Sequence, residues 1–390
     1  MNICLLKESL AIGGTERSAA NISQALAPEH TVYMALFDTG EIQYPFSGEL
    51  LDLHLPPQRS LPGKIYNTFL RDYRLRRLIK QKKIDILYTF TGIGNRQTHY
   101  RYKNTVKIIS ARDFGGMCQR HEEYHHALLH SDAMICNSEY TREFYLSRYP
   151  EHADRVFALH NYIHVDEICS QRGEATEPEF DAFVSSHDAA VVSVGRFCKE
   201  KGFEHLIDAF SRARSEENNL GLVLIGDGPL KESYLQTIEK HDLQNHVYFT
   251  GFQTNPYKYM NKCSCFVLSS LSEGFPNVLA EAMALGLPVI AANCLSGPAE
   301  ILRKDSDYSA VTEQFLHCDY GIITPAMEEE ASGTAIDQMA AAIASLLSDR
   351  DMMQHYSALS ALRAGDFSKE ATRQKLNEIF ATLAERRDLP

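Results

Sequence analysis

The sequence predicts an α/β protein built as two doubly wound halves. Short apolar runs of strand length alternate with helix-length amphipathic stretches along the chain. Two of the runs, starting near residues 2 and 189, are each followed by a glycine-containing turn and a helix, the opening of a Rossmann-like half. A polar, turn-rich stretch at 166–188 separates the two series and reads as a linker.

Bulk properties agree. At 390 residues, with 44% apolar and 23% charged residues, the chain can fill two cores and has the composition of an ordinary globular protein. Its formal net charge of −12 argues against general nucleic-acid binding. Nine scattered cysteines give no disulfide framework, and Cys263-Ser-Cys265 lacks a second pair to complete a zinc site, so reduced thiols and a cytoplasmic location are expected. The run Met1–Lys7 is too short for a secretory signal, and no stretch reaches 18 consecutive apolar residues. Any membrane contact is expected to be peripheral.

In the first half, strand one leads into Gly13-Gly14-Thr15-Glu16-Arg17 and a helix expected over Ser18–Leu26. The glycines allow a ligand near the backbone, but the G-x-G-x-x-G fingerprint of a nicotinamide enzyme is missing. Thr31–Phe37 reads as the second strand and 55–63 as a loop. The segment 64–83 then carries eight cations, Lys64, Arg71, Arg74, Arg76, Arg77, Lys80, Lys82 and Lys83, against one acid, Asp72. Ile65, Phe69, Tyr73, Leu78 and Ile79 are expected to line its other face. A basic amphipathic helix on an acidic chain suits anionic lipid headgroups, and equally a solvated face on a core-packed helix. Strands over Ile84–Phe90 and Val106–Ser110 follow, and the second ends at Arg112-Asp113. Groups just beyond the carboxyl end of a parallel strand stand where α/β proteins hold ligands, although a surface ion pair fits the same two residues. His121, His125, His126 and His130 are read as part of a helix covering the sheet, with no metal expected. Ala133–Cys136 and Val156–Leu159 complete the strands of this half.

In the second half, the strand Ala189–Val194 runs into Gly195-Arg196-Phe-Cys-Lys-Glu-Lys201-Gly202 and a helix over Phe203–Ala213. Leu220–Ile225 is followed by Gly226-Asp-Gly-Pro229, and Val247–Phe249 by Gly251-Phe252. Strand Cys265–Ser269 then enters the most informative stretch, a turn at Gly274–Asn277, a helix to Gly286 and a strand over Pro288–Ala292. Backbone N–H groups of Gly274, Phe275 and Asn277 near a helix N-terminus favour an anion. Glu273 would repel a phosphate, so it should meet something neutral and rich in hydroxyls, such as a sugar. Glu281, eight residues on and about two helical turns away, could take a second pair of hydroxyls, such as those of a ribose. A capping charge and a solvated helix residue are the plainer reading of this pair. Ser296-Gly-Pro-Ala-Glu300, Tyr320–Pro325, a helix over Ala335–Leu347 and a last helix over Lys369–Glu385 complete the chain.

The pattern S-x-x-E-G-F-P-N-V-x-x-E-A-M-A-x-G-x-P-V, from Ser270 to Val289, closely resembles the donor-site motif of the family 4 retaining glycosyltransferases. That family implies the GT-B arrangement, two Rossmann-like domains facing across a cleft. Here these would be 1–165 on the acceptor side and 189–365 for the donor, joined by the 166–188 linker, with 366–390 packing back towards the first. The resemblance implies that Glu273 contacts sugar hydroxyls and Glu281 the ribose. It gives Arg196 and Lys201 the diphosphate, with Gly14, Gly195, Gly274, Phe275, Asn277 and Val278 also around the donor and Phe252 near the nucleobase. Glu16, Arg17 and Arg112 are expected in the cleft, and Asp113 stands where many members have a sugar-contacting histidine. The expected reaction is metal-independent transfer of a hexose or N-acetylhexosamine from a nucleotide-diphosphate sugar, most simply UDP-linked, with no further cofactor. The expected acceptor is a glycan, lipid-linked, met at the inner face of the cytoplasmic membrane during surface polysaccharide assembly. A nucleotide-sugar epimerase or hydrolase, or a silent nucleotide-sugar-binding protein, is the alternative.

Overall fold

The computed structural model describes the chain except residues 12, 56–60, 91, 100, 101, 103, 215–217, 305–312, 330–332 and 387–390, and the side chains of 61, 62, 64 and 65. Most of the loop expected at 55–63, and the side chains of Lys64 and Ile65, therefore lie outside the described residues. The chain forms two compact units, Met1–Tyr162 with Lys369–Pro390, and Ile163–Ser368.

The first unit is a seven-stranded parallel sheet of β1 (Asn2–Lys7), β2 (Thr31–Leu36), β3 (Glu49–Asp52), β4 (Ile86–Thr89), β5 (Val106–Ala111), β6 (Ala133–Cys136) and β7 (Val156–Ala158), in the order β3-β2-β1-β4-β5-β6-β7. The second holds β8 (Ala189–Val194), β9 (Leu220–Ile225), β10 (Val247–Gly251), β11 (Cys265–Leu268), β12 (Val289–Ala292), β13 (Leu316–His317) and β14 (Ile322–Thr324), in the order β10-β9-β8-β11-β12-β14-β13. Only the edge strand β13 is antiparallel to its neighbour in this sheet. Helices cover both faces, which is why the central strands read as unbroken apolar runs: every residue of β5, β9 and β12 is buried. In each sheet the chain first winds one way and then returns to the other side, between β1 and β4 and between β8 and β11. Ligands in such sheets gather beyond the carboxyl ends of the strands at that reversal.

Several sequence expectations are corrected. The first helix starts at Gly14, not Ser18, so Glu16 and Arg17 lie on its first turn rather than in a loop. The supposed linker at 166–188 is largely two helices, Val165–Gln171 and Pro178–Ser185, whose Ile168 and Phe180 are buried in the core of the second unit. Polar composition hid them because each gives the core one large apolar anchor. The basic segment is the helix Leu61–Lys82, which buries Leu75, Leu78 and Ile79, but Phe69 and Tyr73, expected on one face with Leu78 and Ile79, are 72% and 63% exposed. The helix Phe114–Leu129 begins well before the histidines, with Asp113 as its N-cap. A helix over Arg350–Ala364 was not foreseen.

The last helix, Lys369–Glu385, belongs to the first unit. Leu376, Ile379, Phe380 and Leu383 fall on one face and are buried with Ile3, Ile22, Leu26 and Val32. His30 Nε2 lies 2.8 Å from Asn377 Oδ1, and the Arg373 guanidinium 3.1 Å from Glu29. The final segment thus closes a sheet that began with the first.

Candidate active site

Beyond the carboxyl ends of β8 and β11, two loops are stitched together. The β8 loop turns at Gly202 with φ of 60°, where a Cβ would lie 2.2 Å from the Ser269 carbonyl oxygen. Glycine is therefore needed for both the left-handed backbone and the close approach. Ser269 Oγ donates to the Lys201 carbonyl at 2.9 Å, and Leu271 N to the Glu200 carbonyl at 2.8 Å. Between the loops, Lys201 Nζ donates to Glu273 Oε1 at 2.7 Å, and Ser270 Oγ donates to the same oxygen at 2.7 Å. The Lys201 and Glu273 side chains are 25% and 11% exposed, so the pair is sheltered but reachable from solvent.

A third loop, after β12, supports Glu273 from behind. Ser296 Oγ donates to the carbonyl oxygens of Glu273 and Gly274 at 2.8 and 2.9 Å. Gly297, at φ of 102°, lies so close to the turn that a Cβ would meet Pro276 Cδ at 2.5 Å. The Cys294 thiol is buried beside this turn, and burial first, then the Glu273 charge, pushes its pKa up. Gly195 supports the lysine, since a Cβ there would touch Lys201 Cγ and Cδ at 3.4 Å.

Glu273 is followed by Gly274, Phe275, Pro276 and the helix Asn277–Ala284, which opens without a side-chain cap. Its N-terminus, the positive end of the helix dipole, follows directly on the loop that carries Glu273, to which Lys201 of the β8 loop is bonded. Phe275 is buried with its ring edge-on to Phe367 at 5.3 Å, which fixes the turn. Glu281 is 3% exposed, among Leu279, Ala280, Ala282 and Met283, so it is not a solvated helix residue. Arg196 is exposed, and Phe252, after Gly251 at φ of 71°, is 76% exposed. The structure thus brings Lys201, Glu273, Gly195 and the Gly274–Val278 segment together around one reversal point, with Arg196 on the same β8 loop.

In the first unit, Glu16 is held by buried Lys7, Nζ to Oε1 at 2.6 Å, and by Thr15 Oγ1 donating to Oε2 at 2.8 Å. Burial raises the Glu16 pKa, but the bonds from Lys7 and Thr15 outweigh it and hold the carboxyl below its ordinary value. Arg112 does not pair with Asp113. It donates to Ser110 Oγ and Tyr88 OH, both at 2.8 Å, with its guanidinium carbon 5.6 Å from the Phe90 ring centroid. Asp113 instead accepts from Gly116 N at 2.8 Å, capping the helix Phe114–Leu129. Asp113 is exposed and Arg112 half-buried, and the two turn to different partners and do not form a surface ion pair.

Sequence reading missed Ser270, Ser296 and Lys7 as supports. Ser270 stood in the recognised pattern, three residues before the carboxylate. Lys7 gave a weak signal, a lone cation ending an apolar strand, which its burial at 2% explains only through Glu16.

Two family profiles match the chain, "Glycosyltransferase Family 4" over residues 12–167 and "Glycosyl transferases group 1" over 177–315. An uncharacterized glycosyltransferase of Methanocaldococcus jannaschii is 30% identical over 63% of this chain and 63% of its own length. The N-acetylgalactosamine-N,N'-diacetylbacillosaminyl-diphospho-undecaprenol 4-alpha-N-acetylgalactosaminyltransferase of Campylobacter jejuni is 32% identical over 45% of each chain. The chain thus spans less than two thirds of the length of these curated relatives. Among solved structures, Anabaena HepE in complex with UDP and glucose superposes with a TM-score of 0.70 at 18% identity, over 98% of this chain and 100% of that one. The lipopolysaccharide outer core galactosyltransferase WaaB gives a TM-score of 0.70 at 17% identity, over 98% and 99%. With two parallel Rossmann-like sheets of this topology and both profiles in sequence along it, the chain belongs to glycosyltransferase family 4 and has the GT-B fold.

Proposed function

We propose that this protein is a retaining glycosyltransferase that moves a hexose or N-acetylhexosamine from a UDP-sugar to a lipid-linked glycan in surface polysaccharide assembly. The observation that carries the reading is the Lys201–Glu273 pair, 2.7 Å apart at the reversal of the second sheet, near the start of the helix Asn277–Ala284. A cation and a carboxylate from two adjoining loops, beside a helix N-terminus, suit a ligand that is anionic at one end and rich in hydroxyls at the other.

Glu273 would accept hydroxyls of the transferred sugar and Glu281 those of the ribose. Lys201 and Arg196 would neutralise the charge that develops on the diphosphate as its bond to the sugar breaks, which needs no metal ion. Amides of Gly274, Phe275 and Asn277, with Val278, Gly195 and Gly14, would surround the donor, and Phe252 the base. Asp113 would stand in for the sugar-contacting histidine, and Glu16, Arg17 and Arg112 are the acceptor-side candidates. In the proposed step the acceptor oxygen bonds to the anomeric carbon on the face the diphosphate leaves. The anomeric carbon–phosphate oxygen bond breaks, and the acceptor proton passes to that phosphate oxygen.

The names of the relatives support acceptor and setting: the Campylobacter enzyme's name includes a diphospho-undecaprenol, and an Escherichia coli relative, 33% identical over 30% of this chain, is a lipopolysaccharide 1,6-galactosyltransferase. Among the described residues no helix is long and apolar enough to cross a membrane. Access to a lipid-linked acceptor would instead use the helix Leu61–Lys82. Its exposed Tyr66, Phe69 and Tyr73 share one face with exposed Arg76, Arg77 and Lys80.

The test is release of nucleoside diphosphate from UDP-, GDP- and ADP-sugars, with and without a bacterial lipid-linked glycan extract. Release from one donor that rises with extract, and a product retaining anomeric configuration, is expected. Release or epimerisation independent of extract would replace transfer by hydrolase or epimerase chemistry.

A further inference from the structure

The helical histidines separate into two groups. His121 Nδ1 lies 3.1 Å from Tyr149 OH and His125 Nδ1 3.1 Å from Tyr145 OH, and the His125 ring stacks on Tyr149 at 3.9 Å. These two are committed to packing. His126 and His130, one turn apart at the end of the helix Phe114–Leu129, face instead a residue from another segment, His99 of the 3-10 turn Gln97–His99. Ring centroids are 4.8 Å apart for His99 and His126, 4.6 Å for His99 and His130, and 5.2 Å for His126 and His130. One nitrogen from each of the three lies within 4.8 Å of the others. Among the described residues, no hydrogen bond to a ring nitrogen of these three is found.

We infer that His99, His126 and His130 form a three-imidazole site for a zinc-type dication. In a tetrahedral zinc site with bonds of ~2.0–2.1 Å, ligand nitrogens stand roughly 3.4 Å apart. The observed spacing closes to that with movements of about 1.4 Å, within reach of side-chain rotation for three rings of which two are exposed. Three nitrogen donors with no carboxylate select a borderline transition metal over magnesium or calcium, which take oxygen ligands. A fourth position would be left for water, beside a cavity of about 490 Å³ that His99 and His126 line together with Glu122 and Glu123.

The backbone under the site is already braced. Lys107 Nζ donates to the Thr98 carbonyl at 2.6 Å and also to the His130 carbonyl, tying the turn to the helix end. Its ammonium opposes a dication, and Arg96 and Arg120 line the same cavity as Glu122 and Glu123, so the three imidazoles, and not the surrounding charge, are what favours the metal. Lys107 is the second residue of β5, so the cluster lies at the amino end of that strand, whereas Arg112 and Asp113 follow its carboxyl end. A metal there would fasten 97–99 to the helix without entering the proposed sugar-transfer chemistry, and the inference does not depend on that chemistry.

The test uses the full chain, stripped with a chelator, and zinc chloride alone as the probe. Calorimetry should show one zinc per chain, and the thermal midpoint should rise with zinc but not with magnesium or calcium. His99→Gln and the double substitution His126→Gln with His130→Gln should each weaken binding at least ten-fold, while His121→Gln leaves it unchanged. Equal midpoints of all these variants without metal would show that their folds are intact; for a variant that fails this, the visible absorption of bound cobalt in the parent protein decides whether the site is four-coordinate. Absence of stoichiometric binding, binding that survives loss of His99 and of the helical pair, or a six-coordinate cobalt spectrum would overturn the inference.

Discussion

Lys201 and Glu273 hold opposite charges 2.7 Å apart where neither is fully solvated, so removing one leaves the other exposed to the cost of an uncompensated charge. If Glu273 meets the sugar, Glu273→Gln keeps the shape of the loop, with Ser296 still holding its backbone, and turnover should fall by about 10²–10³, the usual loss for one positioned electrostatic contact. Nucleoside diphosphate release reads this, and unchanged turnover would remove Glu273 from the site. The glycines separate stability from ligand approach. Gly202→Ala places a Cβ against the Ser269 carbonyl at a positive φ and should cost roughly 1–3 kcal/mol, seen as a lower thermal midpoint. A Cβ at Gly14 meets nothing within 4 Å, so Gly14→Ala should leave the midpoint unchanged or raised, and any loss of activity would report a ligand at that backbone. Lys7 and Glu16 offer a pH test. The Glu16 carboxyl is held below its ordinary value, so its stabilisation is complete above the unfolded-state pKa and disappears as pH falls through the lower folded-state value. Glu16→Gln should therefore lower the thermal midpoint at neutral pH, and the gap to the parent should narrow as the solution is made acid.

At the scale of elements, the helix Leu61–Lys82 shows what periodicity reveals and what it leaves open. The alternation of cations and apolar residues makes the helix legible, but the aromatic and the aliphatic residues fall on different faces of it, and the sequence does not say which face meets the sheet. Leu75, Leu78 and Ile79 take the core, leaving Tyr66, Phe69 and Tyr73 on the opposite face. Among the cations, Lys82 is committed to Glu49 at 2.6 Å, and Arg74 donates to the Leu53 and His54 carbonyls, so Arg77 and Lys80 are better placed for lipid headgroups. At ~1 kcal/mol per cation near an anionic surface, Arg77→Glu with Lys80→Glu should weaken sedimentation with phosphatidylglycerol vesicles by at least ~30-fold, and Phe69→Ser should weaken it further. Equal binding by parent and variant would remove the membrane role. The helices at 165–171 and 178–185 were illegible for the opposite reason: Ile168 and Phe180 are too sparse an apolar set to show a period among polar neighbours. His99 stayed invisible as a companion of His126 and His130 because the link is tertiary, made by the return of β5 beside β4.

For the whole molecule, the two sheets repeat one winding without repeating a sequence. The second unit was the more legible, because its site lies on loops adjoining neighbouring strands and the residues of one, Glu273 to Glu281, follow one another in the chain. The first unit is completed from a distance, by a helix that starts at Lys369, whereas β1 ends at Lys7, and whose Leu376, Ile379, Phe380 and Leu383 enter its core. Each such side chain is worth roughly 1.5–3 kcal/mol when buried, so the set rivals the net stability of a typical domain. The second unit, in contrast, holds its own sheet and two clusters of buried apolar side chains within 163–368. Ending the chain at residue 368 should therefore unfold the first unit and spare the second. Proteolysis of the shortened chain should leave a resistant fragment corresponding to 163–368, and UDP should raise that fragment's thermal midpoint while sugar transfer is lost. A shortened chain in which both units resist digestion would mean that the first sheet closes without its final helix, whereas loss of both would mean that the second unit draws its stability from the first.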